Sequence, residues 1–332
     1  MRKRLSIFVN TLLIAITTVT AGCGGRKSGS ADVPAAVPHV AAAGIEFNAD
    51  SAYNYVKRQT EFGPRVPGSA AHSATAAYLE DFMRRMNPDT VTVQTAHVKF
   101  ADGKTAELKN IFARWGADRK SHVLLLAHWD TRPWADEDPD TKNHNTPIDG
   151  ANDGGSGTGV LMEIARQLSQ QLPPETGVDI LLVDAEDSGI DGDDASWCLG
   201  AQYFADNLPY RPTEMPRYAI LLDMVGGHDA RFHREYLSDH FARNIVDKVW
   251  SAASSIGYGH RFPNESGGAL TDDHIALNRA GIPAIDIVEN RHPVTGTFNP
   301  TWHTLDDNIS NIDRGTLETV GRTVMKVLQN EK

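Results

Sequence analysis

Val123-Leu124-Leu125-Leu126-Ala127-His128-Trp129-Asp130 is five apolar residues in an unbroken run, followed by an imidazole, an indole and a carboxylate. A strand with one wet face alternates apolar and polar positions, whereas an uninterrupted run suits a strand covered on both faces. The pattern recurs: Ile180-Leu181-Leu182-Val183 runs into Asp184-Ala185-Glu186-Asp187, and Ala219-Ile220-Leu221-Leu222 runs into Asp223. Helical patterns at 157–172 and 199–208 separate these strands, and a further strand at 284–288 and a helix at 313–329 follow. Upstream, Asn48 or Asp50 can cap a helix reaching Phe62, residues 63–69 form a loop, and a second helix covers 71–86. Residues 91–100 and 109–115 alternate like the strands of a hairpin or meander. This order predicts a single α/β domain with a mostly parallel central sheet covered by helices on both faces.

The chain has 332 residues, 40% hydrophobic and 23% charged, which is globular composition and excludes a disordered or fibrous chain. Its net charge of −11 repels phosphate backbones, so no nucleic acid is expected as a partner. The start is basic (Arg2, Lys3, Arg4), and the apolar run from Leu5 to Val19 is short for a membrane span. Thr20-Ala21-Gly22-Cys23 follows, a junction of the bacterial lipoprotein type. Residues 1–22 therefore read as a signal peptide, Cys23 as the lipidated residue, and 23–44, rich in Gly, Ser, Ala, Pro and Val, as a flexible tether to the membrane. The catalytic domain is expected over 45–332, in the bacterial cell envelope, periplasmic or held as a membrane-anchored lipoprotein. With Cys23 lipidated, Cys198 has no partner for a disulfide.

In an open α/β sheet, ligands gather outside the carboxyl ends of the strands, where His128, Glu186, Asp187 and Asp223 fall. Asp149-Gly150-Ala151-Asn152-Asp153-Gly154-Gly155-Ser156-Gly157 lacks the Gly-Lys-Ser/Thr ending of a phosphate loop and the register of an EF-hand. Asp153 is then either a helix cap or a metal ligand. His303 lies in the polar loop Thr301-Trp302-His303-Thr304-Leu305-Asp306-Asp307, with carboxylates near for its second ring nitrogen. Together Asp153, Asp187 and His303 offer two carboxylates and an imidazole, which leaves a fourth tetrahedral position for water or substrate. Glu186, beside a ligand but free of the metal, suits general acid/base work. Asp191, Asp193 and Asp194 read as a solvated or calcium-binding loop, and Trp197 fits a pocket wall or plain packing equally well.

These motifs, with Phe62-Gly63-Pro64-Arg65-Val66-Pro67-Gly68-Ser69 ahead of them, resemble the M28 zinc-peptidase superfamily from Phe62 to the C-terminus. Within it, Gly267-Gly268-Ala269-Leu270-Thr271-Asp272-Asp273-His274, Phe298 and Trp302-His303 resemble the animal-type glutaminyl cyclases. The resemblance implies one Zn²⁺ on Asp153, Asp187 and His303, with Glu186 as proton shuttle. It implies Asp223 and Asp272 hydrogen-bonding around the reacting amide, and Phe298 and Trp302 enclosing a glutamine side chain. The implied substrates are peptides or proteins with N-terminal Gln, converted to pyroglutamate with release of ammonia. Asp187 stands where the animal enzymes carry Glu, and residues 188–196 do not align with them. The alternative within the superfamily is a zinc aminopeptidase, whose two-metal site would use His128, Asp153, Asp187, Asp223 and His303. His128 is thus a second metal's ligand or a residue supporting the first set. A binding protein without catalysis is opposed by the intact Glu186. Metabolic labelling with a fatty acid is expected to mark the wild type and not Cys23→Ala; equal labelling of both would refute the lipid site.

Overall fold

The computed structural model describes residues 46–331 apart from Pro174; the proposed signal peptide, Cys23 and the tether lie outside the described residues. All seven side chains of β3 (His122–His128) are buried, as the apolar run requires. It lies between β4 (Gly177–Val183) and β5 (Tyr218–Leu222), parallel to both, and β6 (Ala284–Ile287) continues the parallel set beyond β5. On the other side, β2 (Thr105–Trp115) and β1 (Thr90–Lys99) join antiparallel, giving the order β1-β2-β4-β3-β5-β6. The hairpin expected from the sequence forms, with β2 starting at Thr105 rather than 109.

Alternate residues of β3 serve two cores. Val123, Leu125 and Ala127 pack with α1 (Ala49–Thr60), α2 (Ala70–Arg85), α3 (Gly155–Leu168), α5 (Tyr236–Ser255) and α7 (Arg314–Gln329). Leu124 and Leu126 pack with α4 (Leu199–Asp206) and α6 (Asp273–Arg279). The result is one α/β domain with helices on both faces. Asn48, not Asp50, caps α1 by accepting from the Ser51 N–H at 2.8 Å.

Two helices exceed the sequence reading. The 20-residue α5, kinked at Ala242 (φ −142°), buries Ser238, Ala242, Ile245, Val246, Val249, Trp250 and Ala253, a spacing that was readable as helical beyond the kink. Its start carries no Ser, Thr, Asp or Asn cap; the Glu235 carboxylate accepts from Leu237 and Ser238 instead, so the usual start signal is missing. The seven-residue α6 is too short to show a period.

Buried Arg65, in the loop before α2, donates to the carbonyls of Trp129 (2.8 Å), Asp149 (2.6 Å) and Gly150 (2.7 Å). It ties the end of β3 to the turn that carries Asp153. At the far end of the chain, the buried carboxylate of Glu331 accepts from the Tyr218 hydroxyl at 2.6 Å and from Arg217 and Lys248, joining the end of α7 to β5 and α5. Burial opposes its charge, but Lys248, Tyr218 and Arg217 outweigh that and hold the carboxyl below the ordinary glutamate range. A depressed folded pKa contributes stability above the unfolded value that is lost as pH falls. Glu331→Gln is expected to cost roughly 1–2 kcal/mol at neutral pH in denaturant unfolding. The gap should close as pH drops below about 4; a gap that persists in acid would contradict the assignment.

Candidate active site

Register brings the strand ends level: His128 at the end of β3 pairs with Val183 at the end of β4. Beyond these ends the chain turns sharply, with Ala185 and Met224 at φ 56° and 47°. The Asp130 carboxylate accepts from the backbone N–H of Glu186 (3.1 Å) and of Asp187 (3.3 Å), so the end of β3 orients the acidic pair after β4. Asp307 does the same for the loop before α3, accepting from Asn152 (2.7 Å) and Asp153 (3.0 Å). The residue at the cap position of α3 is Gly154, at φ 78° and without a side-chain cap, so Asp153 does not serve as the cap. A Cβ on Gly154 would lie 2.7 Å from the Asp130 carbonyl oxygen and 2.8 Å from the His128 ring.

Freed from capping, Asp153 meets Asp187 and His303, the three donor atoms lying within 4.8 Å of one another. Nε2 of His303 is 3.3 Å from Asp187 Oδ1 and 3.6 Å from Asp153 Oδ2. Its other nitrogen faces Asp136 at 3.3 Å, and Asp136 is gripped by Arg132 through Nε (2.9 Å) and Nη2 (2.5 Å). The partner of the second ring nitrogen thus comes from a loop 167 residues upstream, not from Asp306 or Asp307 as the sequence suggested. Burial opposes protonation of His303, but Asp187, Asp136 and Asp153 outweigh it and hold the imidazole up at about 9. Burial and then the Asp153 charge raise Asp187, whose Oδ2 is buried without a hydrogen-bond partner. An orphaned carboxylate oxygen beside a second carboxylate and an imidazole is the electrostatic complement of a cation.

A second group shares Asp153. Nε2 of His128 lies 3.0 Å from Asp153 Oδ1 and 3.1 Å from Asp223 Oδ1. Despite burial, Asp130, Asp153 and Asp223 together hold this imidazole charged well above its ordinary range. Burial raises Asp223 to about 7. His128 sits beneath the donors as their counter-charge and does not line the cavity.

That cavity, of about 270 Å³, is lined by Asp153, Glu186, Asp187, Asp223, Asp272, Phe298, Trp302 and His303, so all eight of these residues share one space. Trp302 stacks on His303 at 3.8 Å, and Phe298 packs on Trp302 at 4.6 Å. Trp197, left open by the sequence, is a wall residue: its ring lies parallel to His303 at 6.5 Å, under the Arg132 guanidinium at 4.7 Å. Asp191 and Asp194, read from the sequence as solvated loop, are exposed and also line the cavity. The Glu186 side chain is 12% exposed; burial first, and then Asp187, Asp272 and Asp273 against His128, raise its carboxyl well above the usual range. Asp272 caps α6 as well as facing the cavity. Asp184, in the same strand-end cluster as Glu186, turns away to His72 at 2.9 Å and is structural.

Arg132, Asp136 and Asp307 were missed from the sequence, as was the role of Asp130. Each acts on a residue that is remote in the chain, which no local spacing reports. Only the Arg132-to-Asp136 spacing hinted at a pair, and it falls outside any helix.

The fold and this rim define an α/β enzyme with a carboxylate and histidine cradle, able to hold a metal ion, at the ends of parallel strands. The chain belongs to peptidase family M28, whose model matches residues 110–328. Glutaminyl cyclase from Bacteroides thetaiotaomicron, bound to N-acetylhistamine, is 48% identical, covers 86% of this chain and 99% of its own, and superposes with a TM-score of 0.83. A structure from the same organism described as a leucine aminopeptidase precursor is 47% identical over 86% of this chain and 98% of its own, with a TM-score of 0.82. Among curated relatives, glutaminyl-peptide cyclotransferase of Bos taurus is 21% identical over 78% of this chain and 76% of its own length. Aminopeptidase YwaD of Bacillus subtilis is 26% identical over 61% of this chain but only 39% of its own.

Asp307→Ala would leave the Asn152 and Asp153 N–H groups without their acceptor and let the Asp153 loop move. Divalent-metal affinity is expected to fall about 10–100-fold by calorimetric titration; unchanged affinity would show that the loop holds itself.

Proposed function

We propose that this protein is a zinc-dependent glutaminyl cyclase, converting the N-terminal glutamine of peptides and proteins to pyroglutamate with release of ammonia. The observation that carries the reading is one small aromatic-walled cavity onto which both the three-donor cradle and the Glu186 carboxyl open. Relatives named as glutaminyl cyclases, at 44–48% identity over nearly their whole length, support it.

The residues present fit zinc: two carboxylates and an imidazole converge, the His303 ring is oriented by Asp136, and Asp187 Oδ2 has no other partner. Held by Asp153, Asp187 and His303, one zinc would supply Lewis-acid polarisation of the glutamine γ-carboxamide. Phe298, Trp302 and Trp197 bound a space suited to one side chain and would hold it folded toward its own amine. As the α-nitrogen forms its bond to the δ-carbon, the carbonyl carbon of the side-chain amide, Glu186 accepts the amine proton. It returns that proton to the departing nitrogen as the old carbon–nitrogen bond breaks, so ammonia leaves and the carboxylate is regenerated. Asp223 and Asp272 stand beside this path, within the same cavity. Export and a lipid at Cys23 belong to the same proposal and rest on the sequence alone.

An aminopeptidase is the second reading, favoured by the His128, Asp153 and Asp223 group. Against it, His128 does not line the cavity, and its Nε2 is hydrogen-bonded to Asp223 at 3.1 Å and lies 3.0 Å from Asp153. The two readings separate on purified zinc-loaded protein given Gln-initiated and Leu-initiated peptides. Ammonia from the first, no free amino acid from the second and one zinc per chain are expected. Free leucine with two zincs per chain would leave the aminopeptidase standing.

Two sets of variants probe the roles. Glu186→Gln is expected to keep zinc and lose about 10²–10⁴-fold in kcat; a loss of only a few-fold would move the shuttle to Asp223. His303→Ala should lose zinc on dialysis, whereas Trp302→Ala should keep it and raise KM. Zinc retained in the first or lost in the second would reverse these assignments.

A further inference from the structure

The Glu186 carboxylate has one side-chain hydrogen bond among the described residues. It comes from the thiol of Cys198, with Sγ 3.5 Å from Oε1. Two other groups stand near its carboxylate: Nδ1 of His128, 3.9 Å from Oε2 and beyond hydrogen-bond range, and the Asp272 carboxylate, which lies within 4.8 Å of both Glu186 and Cys198.

The backbone places this thiol with care. Cys198 sits at φ 57° and ψ 34°, a left-handed conformation that costs a β-carbon residue on the order of 1 kcal/mol. Its N–H donates to the Glu186 carbonyl at 3.0 Å, and the Leu199 N–H donates to the Ala185 carbonyl at 2.9 Å. The start of α4 is thereby stitched to the turn that carries Glu186. Gly200 tightens the seam, since a Cβ there would lie 2.0 Å from the Asp184 carbonyl oxygen. The Cys198 side chain then has Val183, Ala201 and Phe204 in its packing cluster and Glu186 as its polar contact. Burial first, then the neighbouring acids, push the thiol well above its ordinary range, so it stays S–H at neutral pH and keeps its proton for donation to Oε1.

Granting the reading of Glu186 as proton shuttle, we propose that Cys198 is its positioning residue. The S–H fixes Oε1 and holds the carboxylate in one rotamer, while Oε2 is left without a side-chain hydrogen bond. A small apolar filler would satisfy the packing equally well, and only a donor would satisfy the carboxylate.

The test compares Cys198→Ala with Cys198→Ser in the zinc-loaded full chain. The alanine variant is expected to lose about tenfold in kcat, with KM and zinc content near wild type, and serine to restore most of the rate. Wild-type kcat in the alanine variant overturns the proposal, as does serine no better than alanine while both melt like wild type. A second measurement stands even if these variants are unstable. In a Cys23→Ala chain, Cys198 is the sole thiol, so the infrared S–H stretch reports it alone. The band should lie at lower frequency than in the same chain carrying Glu186→Ala; coincident bands overturn the hydrogen bond. Failure of the functional reading is distinguishable, because wild-type protein would then release no ammonia from Gln-initiated peptides whatever the S–H band shows.

Discussion

The constraint on which the rest of the structure depends is the burial of six aspartates, Asp130, Asp153, Asp187, Asp223, Asp272 and Asp307, around one end of a sheet. A carboxylate removed from water is costly unless hydrogen bonds or opposite charge replace the lost solvation. Each is met differently. Asp130 and Asp307 take backbone N–H groups, Asp272 caps a helix, and Asp153 and Asp223 share the His128 imidazole. Asp187 has His303 and Arg132 on one oxygen and nothing on the other. Asp273 and Asp286, buried beside Asp272, likewise have no hydrogen-bond partner on either oxygen among the described residues, so the surplus of negative charge extends beyond Asp187.

That distribution follows from the strand order. Because β4, β3 and β5 are parallel and neighbouring, their carboxyl ends lie side by side, and the groups that follow them converge. Close approach of α3 is needed to bring Asp153 to the same rim. Gly157 makes that possible, since a Cβ there would meet the Leu222 carbonyl oxygen at 2.0 Å. Arg65 then fixes the intervening turn from the opposite side, with three carbonyls on one guanidinium.

Chemistry at such a rim is decided by what surrounds it. The cradle alone would suit peptide hydrolysis or cyclisation equally. Trp302 against His303, Phe298 against Trp302 and Trp197 across the ring give the acidic cavity an aromatic wall beside the cradle, which suits a substrate side chain held folded on itself. The Glu186 carboxyl faces the same space, with the Cys198 thiol on its protein side.

The sequence by itself determined the parallel strands, since unbroken apolar runs such as residues 123–127 have no stable exposed face. It also determined the strand-end residues, because the first polar group after a buried strand must emerge at its end. His303 and Asp153 were legible as candidates from their polar and glycine-rich loops, though Asp153 as cap or ligand was not decided there. The tertiary structure decided that, by giving Asp307 the task of holding the loop and leaving Asp153 free. It also brought Asp136 to His303, Trp197 to the wall and Cys198 to Glu186. Helix α5 was hidden for a different reason: its cap is a glutamate whose carboxylate folds back on the first turn. Periodicity and local spacing report which face of an element is buried, but not which remote loop comes to lie against it. The supporting partners of this site are all remote, so only the folded chain could name them.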